Sequence, residues 1–218
     1  MFKNRVDAGI MLAKKIIEKV PTQVGIPFRG KNNMVVVALT RGGVVVGRAI
    51  SDFLDLPFDI LVVKKIGAPT NSELAIGAIG PKNSIYWNKD LCRDLGVTSK
   101  DKLEQKIQKE KERLEQEKVL RAGKKALDFK SKVVILVDDG VATGATVLAA
   151  YKFLKKEEAK KIVLAVPVIS KYTLIDIKRY FDTVLTLKVK RDFMAVGQFY
   201  EYFPQVTNEE VIQLVNKL

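Results

Sequence analysis

Histidine is absent from this sequence of 218 residues, and cysteine occurs once, as Cys92. Without histidine, every mechanism that needs a histidine base is excluded, including Ser-His and Cys-His nucleophile pairs. Zinc sites that combine cysteine and histidine ligands are excluded as well. A single cysteine cannot form a disulfide within the chain, which is typical of a reducing compartment, so we expect a cytoplasmic protein.

Long hydrophobic runs are also missing. No apolar stretch reaches the roughly 18 residues that a transmembrane helix requires, so we expect no membrane span. Residues Met1 to Asp7 contain no apolar segment followed by a small-residue cleavage site, so no signal peptide is expected. Hydrophobic residues nevertheless make up 47% of the chain. This share can form a buried core, and we expect one folded domain over residues 1–218.

Acidic residues are outnumbered, with 25 Asp and Glu against 38 Lys and Arg, for a net charge of +13. Such a charge is typical of proteins that meet nucleic acid, an anionic membrane surface or a polyanionic small ligand. The lysines are spread along the chain instead of forming one basic run. The charge therefore indicates either an ordinary lysine-rich surface or attraction of a phosphate-rich ligand.

Four nearly continuous apolar stretches predict buried strands of a parallel sheet, because strands covered on both faces lose the alternation of polar and apolar residues. Helical patterns follow the first and third stretches, over Val44 to Leu54 and Ala145 to Leu154. The alternation predicts an α/β fold with a doubly wound parallel sheet flanked by helices. The four predicted strands are Met34 to Leu39, Asp59 to Val63, Val133 to Val137 and Ile162 to Val168.

Three further segments frame this core. Val6 to Val20 has one apolar helical face and predicts an accessory helix. Residues 67–92 are rich in Gly and Pro and predict a flexible loop, with or without a short hairpin. The segment from Ser99 to Arg121 predicts a long charged helix that packs on one narrow side. That side is a thin apolar stripe of Leu103, Ile107 and Leu114, which also leaves open a coiled-coil dimer seam, although Glu110 interrupts it.

A small-residue loop after the third strand is the strongest functional signal. Asp138 and Asp139 stand at the carboxyl end of that strand, where open α/β sheets bind ligands. Gly140 to Thr146 then leads into a helix, whose first amide groups favour a phosphate. The spacing is neither that of a Walker A loop nor that of a Rossmann loop. Two adjacent carboxylates suit a ribose diol, which offers two hydroxyl donors side by side; the alternative is an Asp-Asp turn that only caps a helix.

A second loop, Thr40-Arg41-Gly42-Gly43, follows the first strand. Arg41 carries the bidentate donor that binds phosphate well, and the two glycines allow unusual backbone shapes. A surface arginine in a helix-opening turn is the alternative. Two anion loops at the ends of two strands fit a ligand with two separate phosphate groups.

The stretch from Val133 to Thr146 resembles the fingerprint of the type I phosphoribosyltransferases, which bind phosphoribosyl pyrophosphate (PRPP). The resemblance implies that Asp138 and Asp139 hold the ribose hydroxyls and, with Arg41, carry the catalytic work. It implies a pyrophosphate loop at Thr40 to Gly43, with a non-proline cis peptide near Thr40–Arg41. It also implies a basic residue at pyrophosphate, Lys65 or else Lys64. The implied 5-phosphate cradle consists of Gly140, Val141, Ala142, Thr143, Gly144, Ala145 and Thr146.

The same resemblance implies a domain plan and a reaction. The core would span about 33–190, and a small hood would be formed by about 1–25 and 190–218. Phe199 and Tyr202 in that hood are either ring-stacking residues for an acceptor or core aromatics. The implied reaction is Mg2+-dependent transfer of phosphoribosyl from PRPP to a nucleobase or other small nucleophile, with release of pyrophosphate, by a homodimer. In the implied metal site, Mg2+ is held mainly by substrate and water, with Asp138 or Asp139 contributing through water.

Two other functions remain open. The acceptor motifs of the purine, orotate and uracil enzymes are not evident, so the resemblance leaves the acceptor unassigned. One alternative is a regulatory protein that senses PRPP or a nucleotide and binds nucleic acid without catalysis, which the positive charge suits. The other is phosphoryl hydrolysis or transfer in the same pocket.

Overall fold

The computed structural model describes residues 1–24, 33–69 and 71–217. Position 25 of the predicted hood, position 70 of the predicted loop and the last residue, 218, therefore lie outside the described residues. The helices are α1 (Arg5–Val24), α2 (Gly42–Leu54), α3 (Lys89–Asp94), α4 (Ser99–Arg121), α5 (Ala145–Lys156), α6 (Lys171–Ile177) and α7 (Asn208–Asn216). The strands are β1 (Met34–Leu39), β2 (Phe58–Leu61), β3 (Lys64–Ala68), β4 (Asn71–Gly80), β5 (Ser84–Trp87), β6 (Val133–Val137), β7 (Lys161–Ser170) and β8 (Thr183–Lys190).

A five-stranded parallel sheet forms the centre, in the order β2-β1-β6-β7-β8. Every residue of β1 and β6 is buried, because helices cover both faces of these strands. On one face α1 and α2 pack through Leu12, Ile16 and Ile50. On the other face α5 packs through Val147 and Leu148. The predicted doubly wound α/β fold is confirmed.

The predicted strands correspond to β1, β2, β6 and β7, and the bounds of β1 and β6 agree residue for residue. The fifth strand, β8, was missed. Its residues are mostly half-buried or exposed, since β8 is an edge strand of the sheet. Its sequence therefore mixes threonine and lysine with the apolar residues and lacks the continuous apolar run of a central strand.

Residues 67–92 differ from the prediction of a loop. Most of them lie in a three-stranded antiparallel sheet, β3-β4-β5, and in α3. The glycines mark close packing of strands here. A Cβ at Gly77 would lie 2.4 Å from the backbone oxygen of Tyr86 on the neighbouring strand. The glycine content thus reflects backbone contact inside a sheet, which a sequence pattern does not separate from a turn.

Helix α4 has the predicted bounds but packs on a different face. Leu103, Ile107 and Leu114 are 55%, 62% and 53% exposed, so the prediction that this stripe packs on the core is wrong. The buried residues of the helix are Arg113 and Leu120. Leu120 belongs to an apolar cluster with Ile60 of β2 and Val211 of α7, which holds this face against the rest of the fold. Arg113 pairs with Glu110 and Glu117 along the helix, and Arg121 reaches Asp59 of β2 at 2.8 Å. None of the described helices is long and apolar enough to cross a membrane.

Candidate sugar-phosphate site

Two loops meet at the carboxyl edge of the sheet, because β1 and β6 are neighbours and run parallel. The first loop follows β1 and contains Thr40 and Arg41. The second runs from Asp138 to Gly144 between β6 and α5. A cavity of about 310 Å³ lies between them. It is lined by Thr40, Arg41, Gly42, Val63, Lys65, Asp138, Asp139, Gly140, Val141, Ala142, Thr143, Gly144, Thr146 and Val196.

Nearly all residues proposed from the sequence line this cavity. Gly43 and Ala145 do not; both are buried against its wall. Gly43 packs on Asp138, since a Cβ there would lie 2.9 Å from the Asp138 Cα atom. The peptide bond between Thr40 and Arg41 is cis, as the resemblance implied.

The loop from Asp138 to Gly144 is held from its outer side. Val141 exchanges two backbone hydrogen bonds with β7, to Val168 and from Ser170. The hydroxyl of Thr173 in α6 donates to the carbonyl of Ala142. Gly144 has φ +77, in the left-handed region, and precedes the first residue of α5. These contacts direct the start of α5, with its unpaired amide groups, toward the cavity.

Asp138 and Asp139 lie where burial disfavours their charged forms. Burial, together with the neighbouring charge of Asp139, raises the pKa of Asp138 well above its usual range. Burial also raises the pKa of Asp139, but the hydrogen bond and the charge of Arg5 oppose this increase. The charge of Lys65 acts on both carboxylates in the direction that lowers their pKa. A pair of acids perturbed in this way beside a cavity is typical of a functional site.

The hood contributes residues that the sequence analysis missed. The Nε atom of Arg5 donates to Oδ2 of Asp139 at 2.8 Å. The hydroxyl of Tyr200 donates to the Asp139 carbonyl at 2.6 Å. Val196, which lines the cavity, contacts the loop from Asp138 to Gly144 so closely that a Cβ at Gly140 would lie 2.6 Å from it. These contacts join parts of the chain that lie far apart in sequence, so no local pattern indicates them.

The two lysines of β3 differ in position. Lys65 lines the cavity, whereas Lys64 lies in a neighbouring depression with Glu112 of α4 and Asn208 of α7. Arg41 borders both spaces, and its Nη1 lies 3.5 Å from Oδ1 of Asn208. Lys65 is therefore the lysine placed to meet a ligand beside the aspartates.

The hood aromatics separate into one core residue and one surface residue. Phe199 is 7% exposed and packs with Phe2 and Tyr200, away from the cavity lining. Tyr202 is 67% exposed and borders a smaller apolar cavity of about 200 Å³ beside Arg5. Phe199 is thus a core aromatic, while Tyr202 is not.

No cluster of three acidic or cysteine side chains that could hold a metal ion occurs within 1–24, 33–69 and 71–217. Asp138 and Asp139 nevertheless offer carboxylate oxygens in one cavity. Oxygen donors of this kind, completed by water and by phosphate oxygens of a ligand, are what Mg2+ prefers. The residues present fit a magnesium ion held mainly by substrate.

Comparison with known proteins assigns the class to which this fold and site belong. A family model described as the phosphoribosyl transferase domain matches residues 3–203, and the chain therefore belongs to the phosphoribosyl transferase family. Two curated proteins of Mycobacterium tuberculosis, each named "putative phosphoribosyl transferase" (MT0597 and Rv0571c), are 35% identical over the full chain. The alignment covers 47% of each relative, so the chain spans about half of their length.

Solved structures agree on the fold. The crystal structure of TT1426 from Thermus thermophilus is 32% identical, with a TM-score of 0.78, and the match covers 98% of this chain and 97% of that chain. A hypothetical protein from Neisseria gonorrhoeae, solved with bound ppGpp, is 14% identical with a TM-score of 0.52, over 99% of this chain and 97% of that chain. This second likeness concerns the fold alone. The parallel sheet with its flanking helices is that of the type I phosphoribosyltransferases.

Proposed function

We propose that the chain catalyses Mg2+-dependent transfer of the phosphoribosyl group from PRPP to a nucleobase or other small nucleophile, with release of pyrophosphate. The observation that carries the proposal is a single cavity that joins two anion-binding loops to a pair of aspartates. A 5-phosphate, a ribose diol and a pyrophosphate would each find a matching partner in this space. Membership of the phosphoribosyl transferase family supports the same reaction class.

The 5-phosphate would bind in the loop from Gly140 to Thr146. Its small residues let backbone amides approach a phosphate, and the start of α5 adds a partial positive charge. Thr143 is exposed at the cavity, and with Thr146 it supplies hydroxyl donors. This loop needs no lysine to bind an anion.

The ribose would lie over Asp138 and Asp139. A carboxylate only accepts hydrogen bonds, so two of them match the two adjacent hydroxyl donors of a ribose. Their negative charge would also stabilise positive charge that develops on the ring as the bond to pyrophosphate breaks.

The pyrophosphate would contact the loop from Thr40 to Gly43, with Arg41 and Lys65 neutralising its charge. Asp138 and Asp139 would help to hold a magnesium ion, which would supply further neutralisation of the leaving group. In the balanced reaction the C1–oxygen bond to pyrophosphate breaks, and a bond from C1 to the acceptor nitrogen or other nucleophilic atom forms. The electron pair of the broken bond leaves with pyrophosphate, and the proton that the acceptor atom loses passes to water.

The acceptor would approach from the hood side, where Arg5, Val196 and Tyr202 lie. A homodimer is part of the proposal and rests on the family resemblance. Regulation by ligand sensing is a second candidate, favoured by the net charge of +13.

A pyrophosphate-release screen tests the proposal. Purified protein is incubated with PRPP and Mg2+ beside a panel of nucleobases, with Asp139→Asn and Arg41→Ala as variants. We expect release with at least one acceptor, weaker ribose binding in the first variant and weaker pyrophosphate binding in the second. PRPP binding without release, combined with salt-dependent RNA binding, would indicate the sensor. Unchanged ligand affinity in both variants would reject the site.

A further inference from the structure

Arg5 is a buried cation beside the site, and the reaction outlined above assigns it no function. It is the first residue of α1 and only 7% exposed. A buried arginine is rare unless its charge is paired. Its partner is the carboxylate of Asp139, which lies 134 positions later in the chain.

The guanidinium of Arg5 is held on several sides. Nε donates to Oδ2 of Asp139 at 2.8 Å, and Nη1 donates to the carbonyl of Pro204 at 2.8 Å. The ring of Phe203 covers one face, with its centroid 3.6 Å from the guanidinium carbon. A planar donor fixed in this way presents its Nε–H in one direction, so it also fixes the carboxylate that accepts from it.

Gly42 approaches the same carboxylate oxygen that accepts from Arg5. A Cβ built on Gly42 would lie 1.8 Å from Oδ2 of Asp139 and 3.1 Å from Nε of Arg5. The Asp139 carboxylate is therefore in close contact with both the Arg5 guanidinium and the Gly42 backbone. The hydroxyl of Tyr200 holds the main chain of Asp139 as well. Arg5 thus fixes the side chain of Asp139, and Tyr200 fixes its main chain.

We propose that Arg5 is a positioning residue that holds the Asp139 carboxylate in the orientation required by the ribose hydroxyls. The proposal rests on the proposed function, since it needs a ribose in this cavity. Arg5 engages Oδ2, and a carboxylate accepts several hydrogen bonds, so capacity remains for a sugar hydroxyl. The positively charged hood helix thereby becomes part of the sugar site.

The test compares two ligands, ribose 5-phosphate and 2,3-dideoxyribose 5-phosphate, which lacks the diol. Calorimetry on the full chain measures both affinities in wild type, Arg5→Gln and Arg5→Lys. Lys15→Gln is the matched control, because Lys15 is a cation of the same helix that donates to the Thr186 carbonyl at 2.8 Å, away from the site. We expect Arg5→Gln to weaken ribose 5-phosphate about tenfold. The dideoxy ligand should bind unchanged, Arg5→Lys should recover part of the loss, and Lys15→Gln should alter neither affinity.

A double-mutant cycle with Asp139→Asn separates positioning from a general effect on folding. If Arg5 acts through Asp139, Arg5→Lys should have little further effect on ribose 5-phosphate once Asp139 is Asn. The Lys variant serves for this cycle should the Gln variant fail to fold. If Arg5→Gln weakens the binding of both ligands equally, or if the effects of the Arg5 and Asp139 substitutions are additive, Arg5 does not position Asp139. Either result would leave the proposed function untouched. A wild-type protein that does not prefer ribose 5-phosphate over the dideoxy ligand would overturn the proposed function together with the positioning function of Arg5.

Discussion

Gly42 lies against the carboxylate of Asp139 with no room for a side chain. The nearest carboxylate oxygen is 1.8 Å from the position that a Cβ on Gly42 would take. The loop after β1 therefore packs directly against the pair of aspartates after β6. Any residue other than glycine must displace either the loop or the carboxylate.

We expect Gly42→Ala to weaken PRPP binding about tenfold, because the displaced Asp139 loses a charge-assisted hydrogen bond to the ribose. The dissociation constant is measured by calorimetry. Gly80→Ala is the matched control, since a Cβ at Gly80 would meet its nearest neighbours at 3.6 Å, an ordinary contact. Equal affinities in wild type and Gly42→Ala would contradict the close contact.

The lysines of β3 should differ in their effect on ligand binding. Lys65→Ala should reduce the affinity for PRPP about tenfold, because the cavity loses a cation near the pyrophosphate. The affinity for ribose 5-phosphate should fall less than the affinity for PRPP. Lys64→Ala is the comparison, because Lys64 borders the depression beside α4 instead of the main cavity. If Lys64→Ala reduces the affinity for PRPP more than Lys65→Ala does, Lys64 is the lysine that contacts the pyrophosphate.

Asp138→Asn should stabilise the protein at neutral pH, because it removes a carboxyl group whose charged form burial disfavours. The pKa of Asp138 is raised in the folded state. The carboxyl group therefore lowers stability as pH rises from its unfolded pKa, near 4, through the folded pKa. Urea unfolding from pH 4 to 8 measures the difference. The gain should be absent at or below about pH 4 and grow as pH rises above it; a gain independent of pH would refute this origin.

The buried ion pair between α4 and β2 should be important for stability. Asp59 is 4% exposed and accepts from Nη1 of Arg121 and from the amide of Leu127, each at 2.8 Å. Asp59→Ala should cost about 3–5 kcal/mol in the free energy of unfolding, because Arg121 loses its buried partner. Lys130→Ala, which removes an exposed pair with Glu158, should have a much smaller effect. If the two variants have similar unfolding midpoints, the ion pair between Asp59 and Arg121 does not stabilise the packing of α4.

Local patterns in the sequence determined a large part of the fold. The continuous apolar residues of β1 and β6 indicate central parallel strands, because burial on both faces leaves no polar positions. The placement of Asp138 and of Arg41 directly after those strands indicates the edge where ligands bind. Both loops can therefore be located from the sequence alone. The bounds of α4 also followed from its density of Glu and Lys, and the structure adds a Thr98 cap at its start.

The tertiary structure alone decided which surfaces meet. It decided that α4 packs through Arg113 and Leu120 and places Arg121 against Asp59 of β2, while the thin apolar stripe stays exposed. It decided that Arg5 reaches Asp139 across 134 positions of sequence. The spacing of apolar residues along the chain indicates how one helix or strand is buried. The partner of a buried charge depends instead on how separate helices and strands pack together. For that reason the sequence indicates the two loops, whereas the contact between Arg5 and Asp139 is known only from the tertiary structure.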